Sequence, residues 1–251
     1  MHMPDPTFPP MLKGHDVRGE APFEVACARV AAGALGAGDV VWSRNTSRIE
    51  LAIVLEPDVP LERAVQMMPL ALVAAGDCIG ALTPPQVGVT FTWPDVVRIN
   101  GAAAGLFRAG LGGAEGPETV PDWLVIGLDL RHLREPGDPE PGHAPDITWL
   151  GEEGGGEITR SQFIESYCRH FLTWINTWND DGFRPVHDAW LFRSQARDEE
   201  GAPPSSDPDV AGEFLGLDDN GNLLLKRPDG TTEALLLADR FERHSARVAA
   251  P

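Results

Sequence analysis

The stretch TWPDVVRINGAAAGLFR, residues 92 to 108, predicts a β-hairpin whose second strand is unusually bare. Trp93 and Pro94 close the first strand, and Asn100-Gly101 is a dipeptide typical of tight hairpin turns. Four small residues then open the second strand: Ala102, Ala103, Ala104 and Gly105. Small side chains give a strand little surface to pack, so two explanations stay open. Either a ligand lies against the backbone here, or another chain segment crosses it closely.

The composition of the chain narrows the range of partners. Its 251 residues suffice for one medium domain and a small one, with 42% hydrophobic residues to build a core. The formal net charge of −18 disfavours binding to nucleic acid or to an anionic membrane surface. Lysine is scarce: only Lys13 and Lys226 are present, and the other 18 basic residues are arginine. A mechanism that needs a lysine therefore has two candidates.

Cysteine usage and hydropathy predict a soluble, cytoplasmic protein. Cys27, Cys78 and Cys168 are widely spaced and form no C-x-x-C pair, which is typical of buried, reduced thiols. The N-terminal stretch has no apolar run resembling a signal peptide, and no segment is expected to approach the length of a membrane span. His143, His170 and His187 are too far apart for a compact zinc motif, so no metal site is predicted.

Hydrophobic periodicity predicts alternating strands and helices in the first half of the chain. The predicted strands cover 39–43, 48–57, 87–93 and 122–131, and the predicted helices cover 22–35 and 60–80. Pro69 should kink or divide the second of these helices. The strand at 122–131 is almost continuously apolar and is therefore expected to be central in its sheet.

The second half combines one strong helix with long polar segments. Residues 134–157 are predicted to form a long loop, which is either a mobile lid or a plain spacer. Thr159 and Gln162 have the spacing of a capping box before an aromatic-rich helix. A further helix follows Gly182. The predicted organisation is an extended segment over 1–21, a main domain over 22–196, a flexible, unpacked linker over 197–209 and a small β domain over 210–251.

Several of these motifs also occur together in a known family. The strand ending in Trp93-Pro94, the tight turn, the strand beginning with alanines, the V-I-G sequence at 125–127 and the closing FLGLDDNGNLLL at 214–225 follow one another in its order. This arrangement resembles the biotin/lipoate protein ligases. The resemblance implies an α+β fold similar to class II synthetases. That fold has a mixed, mainly antiparallel sheet flanked by helices and a small C-terminal SH3-like β-barrel.

The resemblance also implies a function and a set of site residues. Such proteins attach biotin, lipoate or a related acyl group to a biotinyl or lipoyl carrier domain, using ATP and magnesium, and act as monomers or homodimers. The bare strand would then form a wall of the ligand pocket. The residues at matching positions are Arg44, Arg48, Trp93, Pro94, Asp95, Ala102, Ala103, Ala104, Gly105, Gly127 and Asp129. On this basis a Gly105→Val substitution would block the ligand with little effect on folding.

The sequence departs from the family pattern at positions that serve activation. The family lysine falls at or near Ala102, and W-P-N-D has become Trp93-Pro94-Asp95-Val96. Only Arg44 and Arg48 remain of the arginine-rich adenylate loop. The strand motif G-x-G-x-N has become GLDLR at 127–131. Losing one transition-state donor costs on the order of 10²–10³ in rate.

Two functions from different classes therefore remain. The first is a ligase or acyltransferase with altered chemistry, in which ATP-dependent activation is weakened or lost. The second is a non-catalytic relative that binds a small carboxylic acid or a carrier protein.

Overall fold

The computed structural model describes residues 4–140, 142–198 and 202–244. The parts of the predicted segments at 1–3, 199–201 and 245–251 lie outside the described residues. The strands are β1 (Lys13–Val17), β2 (Asp39–Ser43), β3 (Arg48–Leu55), β4 (Val89–Thr92), β5 (Val96–Ile99), β6 (Ala102–Gly112), β7 (Trp123–Arg131), β8 (Glu213–Leu217), β9 (Leu223–Lys226), β10 (Thr232–Leu235) and β11 (Glu242–His244). The helices are α1 (Pro22–Ala31), α2 (Leu61–Ala64), α3 (Met67–Leu82), α4 (Arg160–Asp181), α5 (Arg184–Phe192) and α6 (Gln195–Asp198).

The main sheet has the strand order β1-β2-β3-β7-β6-β5-β4, and β11 adds to β6. The β1–β2 and β11–β6 pairs are parallel and the remaining pairs are antiparallel. This arrangement confirms the predicted α+β fold with a mixed, mainly antiparallel sheet. The apolar strand β7 lies in the middle of the order, as predicted. Asn100 and Gly101 form the predicted hairpin turn with φ values of 49° and 87°, the left-handed backbone that such a turn requires.

The two faces of the main sheet are covered unequally. One face carries the main core, where residues of α3, α4 and α5 pack with Leu51, Phe107 and Ile126 of the strands. On the other face, α1 packs over a smaller cluster that includes Val41 and Val125. Alternation along the strands places polar side chains on the rest of that second face. We call this part the open face and define it by Arg48, Glu50, Leu106, Asp129 and Arg131.

The predicted helix at 60–80 is divided, as Pro69 indicated. Helix α2 ends at Ala64 and α3 begins at Met67, so the break precedes the proline by a few residues. Pro69 has no N–H with which to bond the carbonyl of Val65, one helical turn earlier, and that carbonyl accepts instead from Met68. The proline thus lies in the first turn of α3, where its missing donor does least harm.

The expectation that no segment approaches the length of a membrane span is wrong for residues 61–82. Leu61–Leu82 is long and apolar enough to cross a membrane, with a mean hydropathy of 1.6 over its most apolar 18 residues. However, 78% of those 18 residues are buried inside the protein. Its apolar character is therefore explained by contact with the other helices and the sheet.

Helix α4 begins as its sequence predicted. The Thr159 hydroxyl accepts from the backbone N–H of Gln162, and the Gln162 side chain accepts from the backbone N–H of Thr159. Tyr167 and Phe171 are fully buried on the face that packs against the sheet and α3. The aromatic stripe is therefore a core feature.

The C-terminal residues form a three-stranded antiparallel sheet, β10-β9-β8, where a small barrel was expected. This sheet shares the main core through Leu217, Leu223 and Leu225. The Trp93 indole donates from Nε1 to the carbonyl of Gly221 at 3.1 Å, and this bond joins the hairpin directly to the C-terminal unit.

Two of the segments predicted to lie outside the domains contain packed residues. The expectation that the linker does not pack is wrong at Ser205, which is buried, and at Ser206, whose N–H donates to the Trp93 carbonyl at 2.7 Å. Asp207 forms an ion pair with Arg240 at 2.9 Å. Likewise, the extended segment predicted over 1–21 contains β1, a strand of the main sheet. Polar, proline-rich composition signals irregular backbone, but it does not exclude side-chain and main-chain hydrogen bonds to a neighbouring unit.

Candidate functional site

A cavity of about 490 Å³ opens beside the open face. The end of β1, the turn into α1 and the β2–β3 connection form its walls. Its lining residues are Val17, Arg18, Gly19, Glu20, Ala21, Ser43, Arg44, Asn45 and Glu50. A smaller cavity of about 70 Å³ shares Ala21 and Glu50 with it and extends over the sheet towards Gly127 and Asp129. Together they form a recess in which a small molecule would meet both polar and apolar surface.

Glu50 is the carboxylate common to both cavities. It projects from β3, and the Ser43 hydroxyl donates to its Oε2 at 2.7 Å. Because β3 alternates between core and open face, Ile49 and Leu51 are buried while Glu50 stays half-buried. The wall therefore offers a fixed hydrogen-bond acceptor to whatever enters.

Two arginines at the recess, Arg44 and Arg48, are bound to carboxylates, whereas Arg18, which also lines the larger cavity, forms no ion pair among the described residues. Arg44 bonds Asp5 at 2.5 and 2.8 Å and Asp16 at 2.6 Å, and these hydrogen bonds raise its pKa. Arg48 holds Asp129 through two bonds, at 2.8 and 2.6 Å. These bonds likewise raise the pKa of Arg48.

Arg108, the next arginine on this side of the sheet, is also neutralised. It forms ion pairs with Glu24 and Glu242, and its guanidinium stacks 4.2 Å from the centre of the Phe23 ring. Each of these arginines therefore carries its own counter-charge before any ligand arrives.

The bare strand is explained mainly by close approach of other chain segments. A side chain on Gly105 would place its Cβ 2.9 Å from Leu130 Cδ1 and 3.3 Å from the carbonyl oxygen of Asp129. These contacts favour the close-packing explanation and count against the expectation that Gly105→Val would spare folding. At Ala103, the loop predicted over 134–157 forms backbone hydrogen bonds with the edge of the strand. The Ala103 N–H donates to the backbone carbonyl of Asp146 at 2.8 Å, and the Thr148 N–H donates to the backbone carbonyl of Ala103 at 3.0 Å.

The hairpin residues Trp93, Pro94 and Asp95 lie away from both cavities. Trp93 is buried, and the Trp93–Pro94 peptide bond is cis. Asp95 accepts from the Ser206 hydroxyl at 2.8 Å, and burial raises the pKa of its carboxyl group. Trp93 and Asp95 thus contact the C-terminal segment, and none of the three residues lines the recess.

The structure thus divides the predicted site residues into two groups. Arg44, Gly127 and Asp129 line the cavities, and Arg48 joins them through its bond to Asp129. A second group does not line them: Trp93, Pro94, Asp95, Ala102, Ala103, Ala104 and Gly105. The absence of a side chain at Gly127 leaves room for the Phe23 ring of α1, because a Cβ on residue 127 would lie 2.7 Å from Phe23 Cδ2.

Sequence reasoning missed Glu20, Ser43 and Glu50 in the cavity wall and Arg131 on the open face. The signal for Glu50 and Arg131 was present at the start of β3 and the end of β7, where polar and buried residues alternate over 48–51 and 128–131. Glu20 lies in a turn with no periodic pattern, so its place depended on how the chain folds back.

None of the three cysteines offers an exposed, activated thiol for acyl transfer. Burial raises the pKa of Cys27, Cys78 and Cys168 to about 12, so their thiols stay protonated and inert. Lys13 lies on the edge strand β1, and Lys226 pairs with Glu213 at 3.3 Å in the C-terminal sheet. Among the described residues, no group of three His, Cys, Asp or Glu side chains could hold a metal ion.

Comparison with known proteins gives consistent results in sequence and fold. Residues 8–192 match the Biotin/lipoate A/B protein ligase family, and residues 204–239 match the Biotin protein ligase C terminal domain. The biotin--[acetyl-CoA-carboxylase] ligase of Paracoccus denitrificans is 28% identical over 190 residues, which are 75% of this chain and 78% of that protein. The bifunctional ligase/repressor BirA of Bacillus spizizenii is 27% identical over 193 residues, which are 76% of this chain but only 57% of the relative.

Solved structures agree with this assignment. A biotin protein ligase-like protein of unknown function from Silicibacter sp. tm1040 is 36% identical, with a TM-score of 0.81 over 94% of this chain and 98% of that one. The biotin protein ligase of Aquifex aeolicus shares the fold at 14% identity, with a TM-score of 0.68 over 90% of this chain and 96% of that one. The chain belongs to the biotin/lipoate A/B protein ligase family.

Proposed function

We propose that this protein binds a small carboxylic acid of the biotin or lipoate type, or its acyl derivative, in the open-face recess without activating it with ATP. The observation that carries this proposal is the pairing of Arg44, Arg48 and Arg108 with carboxylates. Their positive charge is already balanced inside the protein. A recess lined in this way suits a ligand of low charge.

Activation by ATP would need the opposite arrangement. An acyl-adenylate forms when a carboxylate attacks a triphosphate, and fixed cations must stabilise the negative charge that accumulates there. Here Asp129 lies on the open face at a position where the family pattern has glycine. Its carboxylate would repel phosphate unless Arg48 stayed bound to it. Lysine gives no compensation, because Lys13 and Lys226 belong to the sheet edge and the C-terminal sheet.

Transfer of an acyl group through a covalent enzyme intermediate is not supported either. A thiol nucleophile requires a lowered pKa and access to the ligand. The three cysteines are buried with raised pKa values, and none lines the recess. Binding therefore fits the described residues better than catalysis by this chain alone.

Biotin attachment is the second candidate, because the relatives from Paracoccus and Bacillus are named as ligases and align with three quarters of this chain. In that case the partners would be ATP with magnesium, biotin or lipoate, and a biotinyl or lipoyl carrier domain. A cytoplasmic location and a monomeric or homodimeric state belong to both proposals.

The two candidates are separated by measuring binding and activation on the same preparation. Calorimetric titration with biotin, lipoate and octanoate is expected to give saturable binding of at least one acid. Pyrophosphate exchange with ATP and that acid is expected to stay at background. The Paracoccus ligase serves as a positive control for exchange. Acid-dependent exchange at a rate comparable to that control would refute the proposal and favour ligation.

A further inference from the structure

We infer that Arg131 binds the carboxylate of the ligand, as the cation of a monoanion subsite next to the recess. This inference rests on the proposed function and specifies how the acid is recognised. It also concerns a residue that the family pattern does not supply, because Arg131 occupies the place where the pattern has asparagine.

The first supporting observation is the hydrogen bonding of Arg131. Among the described residues, its guanidinium makes one hydrogen bond, from Nη1 to the carbonyl oxygen of Ala103 at 3.2 Å. Within the described ranges, no carboxylate lies at ion-pair distance from it. Arg44, Arg48 and Arg108 each hold at least one carboxylate, so Arg131 differs from its neighbours in having donors to spare.

The second observation is its position in the sheet. Arg131 lies directly opposite Arg48 in the β3–β7 register, and the next open-face pair along the strands is Glu50 opposite Asp129. Glu50 lines the recess, and two residues along a strand span about 7 Å. A short alkyl chain can bridge that distance, so a ligand with its polar head beside Glu50 would bring its carboxylate to Arg131.

The third observation is the balance of charge at this pair of strands. Two guanidiniums, Arg48 and Arg131, lie side by side, but only Asp129 is bonded to either of them. Glu50 acts on Arg48 through space, and Asp138 acts on both arginines, so the formal charges around the pair are already balanced. What remains on Arg131 is a set of unused N–H donors, which one carboxylate can satisfy and which are too few for a triphosphate.

Arg131 is half-buried, so its guanidinium is partly shielded from water and partly open to a ligand. Desolvation, followed by repulsion from Arg48, lowers the pKa of Arg131. An anion bound there would accept hydrogen bonds from the guanidinium and offset the neighbouring charge of Arg48. Ala102 and Ala103 have no long side chains to occupy the adjoining space.

The inference is tested by comparing each acid with its uncharged amide. Wild-type protein is expected to bind biotin or lipoate about 10- to 100-fold more tightly than biotinamide or lipoamide, as one charged, doubly bonded contact would give. Arg131→Ala should remove this preference, because it weakens binding of the acid and leaves binding of the amide unchanged. Arg131→Lys should retain part of it, because the charge remains while the paired geometry is lost.

Arg98→Ala is the matched control. Arg98 is a half-buried arginine of the neighbouring strand β5, bonded to the Thr92 hydroxyl and the Gly101 carbonyl and to no carboxylate of the described chain. This variant should keep the preference for acid over amide. Thermal melting of every variant checks that the fold is intact.

Each outcome decides the question. Equal binding of acid and amide by wild type, or an Arg131→Ala variant that keeps the preference, overturns the inference and leaves the proposed function standing. Loss of the preference in Arg18→Ala, with Arg131→Ala unchanged, would move the carboxylate to the cavity residue Arg18. Wild-type protein that binds neither form of any ligand overturns the proposed function and the inference with it.

Discussion

Replacement of Gly105 by alanine tests the close packing that explains the bare strand. The added Cβ would lie 2.9 Å from Leu130 Cδ1, closer than such carbon atoms approach in folded proteins, and 3.3 Å from the Asp129 carbonyl oxygen. Leu130 is buried in the main core, where close packing limits how far its side chain can shift. We expect Gly105→Ala to lower the free energy of unfolding by about 1–3 kcal/mol, and Gly105→Val to lower it further.

Urea unfolding followed by tryptophan fluorescence measures this change. Each kcal/mol should also lower the melting temperature by about 2–4 °C for a chain of this size. Gly80→Ala is the matched control: nothing lies within 4 Å of a Cβ there, the residue is in helix α3, and stability should rise by about 0.5–1 kcal/mol. A Gly105→Ala variant with an unchanged urea midpoint would refute the packing explanation.

Other predictions follow from contacts outside the recess. Burial raises the pKa of the Asp95 carboxyl above its value of about 3.8 in the unfolded chain, so the charged carboxylate destabilises the fold at about pH 7. Asp95→Asn removes that charge and should raise the free energy of unfolding at about pH 7. The gain should disappear below pH 3.8, where the carboxyl is protonated in both states, and urea titrations at the two pH values measure it. Thr159→Ala removes the capping box of α4 and should cost about 0.5–2 kcal/mol in the same assay. Asp129→Asn frees Arg48 and should tighten acid binding several-fold by calorimetry; weaker binding would contradict the proposal that an unpaired guanidinium on the open face binds the acid. Removing 204–251 takes Leu217, Leu223 and Leu225 out of the main core and should abolish cooperative thermal unfolding. A sharp thermal transition in the shortened chain would show instead that the main domain folds alone.

Much of the fold could be predicted because local patterns determine it. The apolar run of β7 required burial on both faces, and the Asn100-Gly101 turn required left-handed backbone. The capping box before α4 was readable from two residues at a fixed spacing. Each of these features depends on neighbours in sequence, and the structure confirms all three.

The site was harder to predict because it depends on contacts between distant segments. Nothing near Gly105 in sequence shows that Leu130 takes the space beside it. The packing of Ser206 against Trp93 likewise joins residues more than 100 positions apart, across a segment whose composition suggested a free linker. The pairing of Arg48 with Asp129 links two strands that adjoin only in the folded sheet. Of the residues chosen by the family motif, four lie at the recess and seven do not line it.

The central claim is that this member of the family binds an acid without activating it, and one calorimetric titration tests that claim most directly. The acid that binds is titrated into the protein with and without ATP and magnesium, and released pyrophosphate is measured in the same cell. We predict saturable binding with the same dissociation constant in both titrations and no pyrophosphate. Binding that tightens when ATP is present, together with pyrophosphate release that depends on the acid, would contradict the claim.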